Sequence, residues 1–322
     1  MSLVTGAAHQ HTVNGIVRAG VVGAGYFGRF HAQKYRDHPD STLVAIADLN
    51  TAQLVKVASE LHAKAYGRVE DLLDQVDAVT IATPASTHFA LAKTLLDAGK
   101  HVLVEKPIAT SVDDAQTLIE LAASKGLVLQ TGHQERYVFA SSGLLDLPAK
   151  PKRIVSKRHG PFTGRNTDCS AAMDLMVHDF DMIHALNSSP VGTVKSTGRK
   201  VKTPYADEVS ATVELEDGCV IDISASRIAE DRERLMLVEY DDGEVEIDFI
   251  NRLLKNTTPY ALSDLFDESS KDKPALADPL GYGVDRFLHA VKTGEAPIVK
   301  PQEAQRALET VLAVTDAMVL SG

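Results

Sequence analysis

Over the first 131 residues, short apolar runs alternate with stretches in which apolar positions recur every three or four residues. The run ending Gly20-Val21-Val22 predicts a strand, and residues 27–38 behind it predict a helix. The alternation continues with strand 43–47, helix 51–61, strand 63–66, helix 69–75, strand 77–82, helix 86–98, strand 101–104, helix 112–125 and strand 127–131. Apolar strands separated by helical stretches imply parallel strands buried between two layers of helices. Past Thr131 the texture changes to strand-like runs at 153–158, 194–201, 208–215, 219–227, 234–240 and 244–249. Glu216-Asp217-Gly218 and Asp241-Asp242-Gly243 sit between consecutive runs as hairpin signals, so this half predicts a mainly antiparallel sheet. One helix, 172–186, lies between its first two strands, and helices at 282–292 and 302–320 end the chain.

Val209, Ala211, Val213 and Leu215, followed by Val220, Ile221, Ile223 and Ala225, make one apolar sheet face able to cover a helix. Ser210, Thr212, Ser224 and Ser226 give the other face small hydroxyl side chains. Such a face suits either solvent or a flat contact with a second sheet, and the second option predicts a homodimer or homotetramer built face to face. At 322 residues the chain exceeds one comfortable core, so two domains are expected. The non-periodic residues 1–15 are expected to be flexible, 16–131 to form a nucleotide-binding domain, and 132–322 to form an α+β domain for substrate binding and oligomerisation. The fold class is α/β: an N-terminal Rossmann-type doubly wound parallel sheet, then an α+β C-terminal domain with an antiparallel sheet.

Composition removes several functions. A hydrophobic content of 44% and a charged content of 24% are ordinary for a soluble globular chain. No apolar run approaches the roughly 20 residues that span a bilayer, so no membrane partner is expected. The net charge of -11 supplies no basic face for a phosphate backbone, which argues against nucleic acid as a partner. Cys169 and Cys219 are the only cysteines and no secretory apolar segment precedes them, which fits a reducing, cytoplasmic setting without a disulfide or zinc site.

The chemistry begins at Gly23-Ala24-Gly25-Tyr26-Phe27-Gly28, directly after the first strand and opening the first helix. One glycine makes the tight turn, one lets the backbone approach a pyrophosphate, and one allows close helix–strand packing, while the helix N-terminus attracts the anion. Asp48 ends the next apolar run, 20 residues past Gly28, where a carboxylate can hold the ribose hydroxyls of NAD. It would repel a 2'-phosphate, and neither Leu49 nor Asn50 supplies a compensating cation, so NAD is expected rather than NADP. Glu105-Lys106-Pro107 stands at the carboxyl end of a buried strand, where ligands bind in an open α/β sheet. There Lys106 can hydrogen-bond a reacting hydroxyl and stabilise alkoxide charge; the alternative is a surface salt bridge of Glu105.

On helix 172–186, Asp174, His178 and Asp181 fall at i, i+4 and i+7 while Leu175, Met176, Val177, Phe180, Met182, Ile183 and Leu186 cover the remaining sides. A buried polar stripe must be satisfied or functional. An imidazole is a natural proton acceptor for an alcohol losing hydride, with a carboxylate one turn away to orient it; the alternative is an ordinary core histidine. One helix does not complete a metal's coordination sphere, and no metal is expected.

Together these residues resemble the Gfo/Idh/MocA oxidoreductase family from about Val17 to the end. Gly23 to Gly28, Thr83-Pro84 with Ser86-Thr87-His88, the run from Ala98 into Glu105-Lys106-Pro107, and the helix with Asp174, His178 and Asp181 occur in the family's order. The resemblance implies a Rossmann domain, a second domain with a large open antiparallel sheet, and reversible NAD(P)-linked oxidation of sugar or cyclitol hydroxyls. It implies catalytic roles for Lys106, Asp174 and His178, and cofactor contacts from Gly23, Gly25, Tyr26, Phe27, Gly28, Asp48, Thr83, Pro84, His88, Glu105 and Lys106. Where the family often has glycines around the aspartate, this chain has Ser170, Ala171 and Met176, and a bulky Met176 is expected either to narrow the pocket or to alter the helix contact. Gly132-His133-Gln134-Glu135-Arg136-Tyr137 is similar to a segment of the family's UDP-N-acetylglucosamine 3-dehydrogenases. That similarity makes Arg136 a candidate for a substrate phosphate, with Tyr137, Arg165, Asn166 and Asp181 in the same set; pairing of Arg136 with Glu135 or the sheet edge is the alternative. A sensor or regulator that kept the fold and lost turnover is the second functional reading, which Lys106 with the Asp174 and His178 pair argues against.

Overall fold

The computed structural model describes residues 12–164, 166–262 and 272–321, and divides into two compact units. In the first unit, β1 (Val17–Val22), β2 (Ser41–Ala47), β3 (Lys64–Tyr66), β4 (Ala78–Ile81), β5 (His101–Val104) and β6 (Leu129–Thr131) form a wholly parallel sheet in the order β3-β2-β1-β4-β5-β6. Helices α1 (Tyr26–Asp37), α2 (Thr51–Leu61), α3 (His88–Asp97) and α4 (Val112–Ser124) connect these strands. β4 and β5 are buried at every residue, as strands covered on both faces must be. Strand order reverses between β1 and β4, and that reversal opens a crevice at the strands' carboxyl ends. Residues 69–75, expected as an α-helix, form a tighter 3₁₀ turn.

The second unit is built on β7 (Arg153–His159), β8 (Val191–Arg199), β9 (Glu208–Leu215), β10 (Val220–Ser226), β11 (Glu233–Tyr240), β12 (Gly243–Asp248), β13 (Leu253–Asn256) and β14 (Met318–Ser321). Their order is β13-β12-β11-β7-β10-β9-β8-β14. The sheet is mostly antiparallel, with β10 parallel to β7 and β14 parallel to β8. Helix α5 (Gln134–Ala140) precedes it, α6 (Val177–Leu186) continues a wide π-helical turn at Ala172–Met176, and α7 (Pro274–Ala277) is a single short turn. Val209, Ala211, Val213, Ile221 and Ile223 face inward against Met176, Phe180 and Ile183, forming this unit's core. Val220, expected on that face, is half-buried on the opposite one, because strand alternation separates it from Ile221.

Three boundaries differ from expectation. α8 (Pro279–Thr293), assigned by chain order to the second domain, groups from residue 280 onward with the first unit. Its Val284, Phe287, Leu288 and Val291 form an i, i+3, i+4, i+7 stripe packed in the core of Val21, Ala32 and Tyr35. α9 (Pro301–Asp316) stops four residues short of the expected end, and residues 318–321 become β14, adding a strand at the edge of the second sheet. Residues 1–11 of the expected flexible segment lie outside the described residues, but Val13 is tied down by a backbone hydrogen bond to Val291 at 3.2 Å. Among the described residues, no helix is long and apolar enough to cross a membrane.

Candidate functional site

The first unit holds a backbone cradle. Gly23 has φ +102°, a left-handed geometry that favours glycine, and a Cβ there would strike the Ala82 carbonyl. A Cβ on Gly28 would overlap the Gly23 carbonyl oxygen, so helix and turn approach as closely as the sequence required. At Gly25 a Cβ would meet nothing within 4 Å, leaving the backbone open to a ligand. α1 starts there without a side-chain cap and without an acidic residue in its first turn, so its N-terminal dipole is not cancelled locally. Tyr26 and Phe27 are exposed at the same turn. These features fit a pyrophosphate.

Asp48, just past β2, accepts hydrogen bonds from the Ala24 amide at 2.5 Å and the Asn50 amide at 2.7 Å. The glycine turn and the acidic residue, 24 positions apart, are thereby one structure. Thr83 and Pro84 follow β4, with the Thr83 and Thr87 hydroxyls 2.7 Å apart. His88 does not fit its expected cofactor contact. It is buried, with Nδ1 at 2.7 Å from the Pro107 carbonyl and Nε2 at 2.9 Å from the Thr83 carbonyl, so both ring nitrogens brace the loops.

Lys106 lies half-buried two residues past the end of β5 and precedes a cis peptide to Pro107. Its neighbour Glu105 is hydrogen-bonded through Oε1 to His31 Nε2 at 2.6 Å, and a Cβ on Gly132 would press on that carboxylate. Burial alone would raise the Glu105 carboxyl, but the His31 hydrogen bond, with the charges of His31, Lys106 and His88, holds it below the usual carboxylate range.

The second unit carries the other candidate side chains. Asp174 lies in the π-helical turn and His178 in the first turn of α6, both half-buried. The remainder of α6 is packed: Phe180, Met182 and Ile183 are fully buried. Met176 is also fully buried among core residues, so it fills the interior, correcting the expectation that it narrows a pocket.

Asp181, expected beside substrate, is almost wholly buried and clamped by Arg136. The guanidinium reaches its carboxylate at 2.9 Å and 2.7 Å and its carbonyl at 2.7 Å. This bidentate pair joins α5 to α6 and corrects the substrate-contact role expected for both residues. Tyr137 is 2% exposed and is likewise a packing residue. Arg165 lies outside the described residues. Asn166 donates its amide to Asp174 Oδ1 at 2.8 Å, so it supports a catalytic candidate.

A second charged cluster was missed entirely. Arg158 is buried between Asp179, reached at 2.8 Å and 3.0 Å, and Glu135, reached at 2.9 Å and 2.5 Å, while Arg234 adds a 2.9 Å contact to Glu135. Burial would raise the Glu135 carboxyl, but the charges of Arg158, His178 and Arg234 hold it well below the usual range. His178 therefore shares an electrostatic neighbourhood with Glu135. A signal for the cluster was available: Ile154, Ser156 and Arg158 alternate onto one face of β7, and an arginine on a core face requires a buried acid. Among the described residues, no group of three or more His, Cys, Asp or Glu side chains could hold a metal.

A glycine cradle at the switch point of a parallel sheet in one unit, and an acid–imidazole helix in the other, define a dinucleotide-dependent oxidoreductase architecture. Residues 17–133 match the model of the oxidoreductase family with an NAD-binding Rossmann fold, and 149–247 match the family's C-terminal domain. The chain is 34% identical to UDP-N-acetylglucosamine 3-dehydrogenase of Acidithiobacillus ferrooxidans over 94% of its length and 97% of the relative's. A solved structure of that enzyme superposes with a TM-score of 0.86 at 33% identity, covering 94% of this chain and 98% of the other. The scyllo-inositol 2-dehydrogenase (NAD(+)) of Bacillus subtilis is 25% identical over 94% of both chains. The chain belongs to the Gfo/Idh/MocA oxidoreductase family.

Proposed function

We propose that the protein is an NAD-dependent dehydrogenase of a sugar hydroxyl, with the 3-hydroxyl of UDP-N-acetylglucosamine as the preferred substrate. What carries this reading is that the 34% identity to a UDP-N-acetylglucosamine 3-dehydrogenase runs through 94% of the chain, across the substrate-binding half as well as the nucleotide-binding half. Bound NAD would supply the hydride acceptor. Gly23, Gly25 and Gly28 would hold its pyrophosphate, Asp48 its ribose, and Thr83 and Pro84 would border the same crevice. NAD is preferred to NADP because Asp48 opposes a 2'-phosphate.

His178 takes the proton of the reacting hydroxyl, Lys106 donates a hydrogen bond to that oxygen as charge develops on it, and Asp174 fixes the imidazole. The open face of the second sheet carries Lys157, Thr197, Ser210, Thr212 and Ser224 around a shallow concavity, and we propose that a second copy of the chain covers it.

The test is incubation of purified protein with NAD or NADP and UDP-sugars, free sugars or inositols, following reduced nicotinamide absorbance. Turnover of UDP-N-acetylglucosamine with NAD is expected. Turnover of a free sugar or inositol alone would overturn the substrate, and NAD binding without turnover of any of them would favour the sensor reading. A monomer by light scattering would remove the sheet-face contact.

A further inference from the structure

We infer that Asn166 is the positioning residue for the Asp174 carboxylate, and that a buried Asp207 and Arg227 pair holds Asn166 in place. This rests on the reading of Asp174 as part of the catalytic set. Asn166 adopts φ +49°, the left-handed region that asparagine tolerates better than most residues. In that conformation its two polar ends are directed differently. Its side-chain amide donates to Asp174 Oδ1 at 2.8 Å, and its backbone carbonyl accepts from Arg227 Nη1 at 2.7 Å.

Arg227 is buried and anchored on every nitrogen. Nε donates to Asp207 Oδ1 at 2.8 Å and Nη2 to the Thr203 hydroxyl at 2.8 Å. Asp207, wholly buried, accepts on Oδ2 from the amides of Val201, Lys202 and Thr203 at 2.8 Å, 2.6 Å and 3.0 Å, and on Oδ1 from the Thr203 hydroxyl at 2.9 Å. Burial would raise its carboxyl, but these backbone donors and Arg227 keep it ionised far below the usual range.

The same loop grips the helix that bears the acceptor. The Ala206 carbonyl receives the Ala171 amide at 2.8 Å, at the start of the turn carrying Asp174. Donor and acceptor of the Asn166–Asp174 hydrogen bond are thus tied to one buried node. The bond is solvent-exposed and would contribute little to stability, but with both ends fixed it sets the carboxylate's direction.

The full-length enzyme is compared as wild type, Asn166→Ala, Asn166→Asp, and Asn166→Ala combined with Asp174→Asn. Asn166→Ala should lower kcat about 10- to 100-fold, with KM for NAD and the melting temperature near wild type. Asn166→Asp should be worse, because two carboxylates then face each other. Adding Asn166→Ala to Asp174→Asn should cause no further loss. A wild-type kcat in Asn166→Ala, or losses that add in the double variant, would overturn the inference. A crystal structure of Asn166→Ala reads the clamp independently of any substrate. A displaced Asp174 carboxylate supports it and an unmoved one sinks it, even if failure of the substrate panel has overturned the proposed function.

Discussion

The first unit makes its site from backbone, and the second makes its site from charged side chains. In the first, the turn depends on Gly23 and Gly28, Gly25 leaves its backbone open, and the nearest stabilising acid, Asp48, sits at the end of the adjoining strand. In the second, the helical segment bearing Asp174 and His178 is held by residues drawn from α5, β7 and two loops, up to 61 positions apart in the Arg227–Asn166 contact. The lesson concerns range. A backbone site is a local covalent property, whereas a side-chain site exists only when the sheet has brought its parts together.

The largest expected effect sharpens the division of labour between these regions. Lys106→Ala should reduce kcat by about 10³-fold or more while leaving NAD affinity within about threefold, measured by steady-state kinetics and fluorescence titration. A wild-type rate would remove Lys106 from the chemistry.

Next, Arg136→Ala leaves Asp181 as an uncompensated buried charge, so chemical or thermal unfolding should show a loss of about 3–5 kcal/mol. Stability equal to wild type would mean that the second unit does not depend on its ion pairs.

A smaller effect appears with pH. Burial, then the charge of Arg306, pushes His184 down to about 4 from its ordinary 6.5. The unfolded chain therefore binds this proton first, and stability should fall as pH drops from about 6.5 to about 4, by at most about 1.4 kcal/mol per pH unit from this group. His184→Gln, which retains an amide donor toward the Thr310 hydroxyl 2.7 Å away, should flatten that part of the pH–stability curve. An unchanged slope would place the acid sensitivity elsewhere.

The smallest effect tests the cradle itself. Gly25→Ala meets no steric obstacle in the protein, so its melting temperature should match wild type while NAD affinity falls about tenfold as the Cβ crowds the pyrophosphate. Equal loss of stability and affinity would show that Gly25 is needed for the fold rather than for the ligand.

Much of the fold was legible because each strand and helix of the first unit carries its own periodicity. The acid after β2 and the lysine after β5 were legible for the same reason: each lies within two residues of its strand's end. Arg136 and Asp181 were both assigned to substrate, because a one-dimensional reading does not reveal a buried salt bridge between residues 45 positions apart. His88 failed similarly, since its partners are carbonyls of two separate loops. α8 went to the wrong unit because an apolar stripe states that a helix is covered and does not state by what.

By itself, the sequence determined the parallel and antiparallel halves, the glycine turn with its anion-ready helix, and the positions of Lys106, Asp174 and His178. Those features depend on local periodicity, on φ angles open to glycine, and on short fixed spacings. Only the tertiary structure decided that residues 318–321 join the second sheet, that Met176 faces the core, and that Asn166, Arg227 and Asp207 stand behind Asp174. Burying a charge or an unpaired polar group requires partners, and which partners arrive is settled by how distant segments pack rather than by the residues alone.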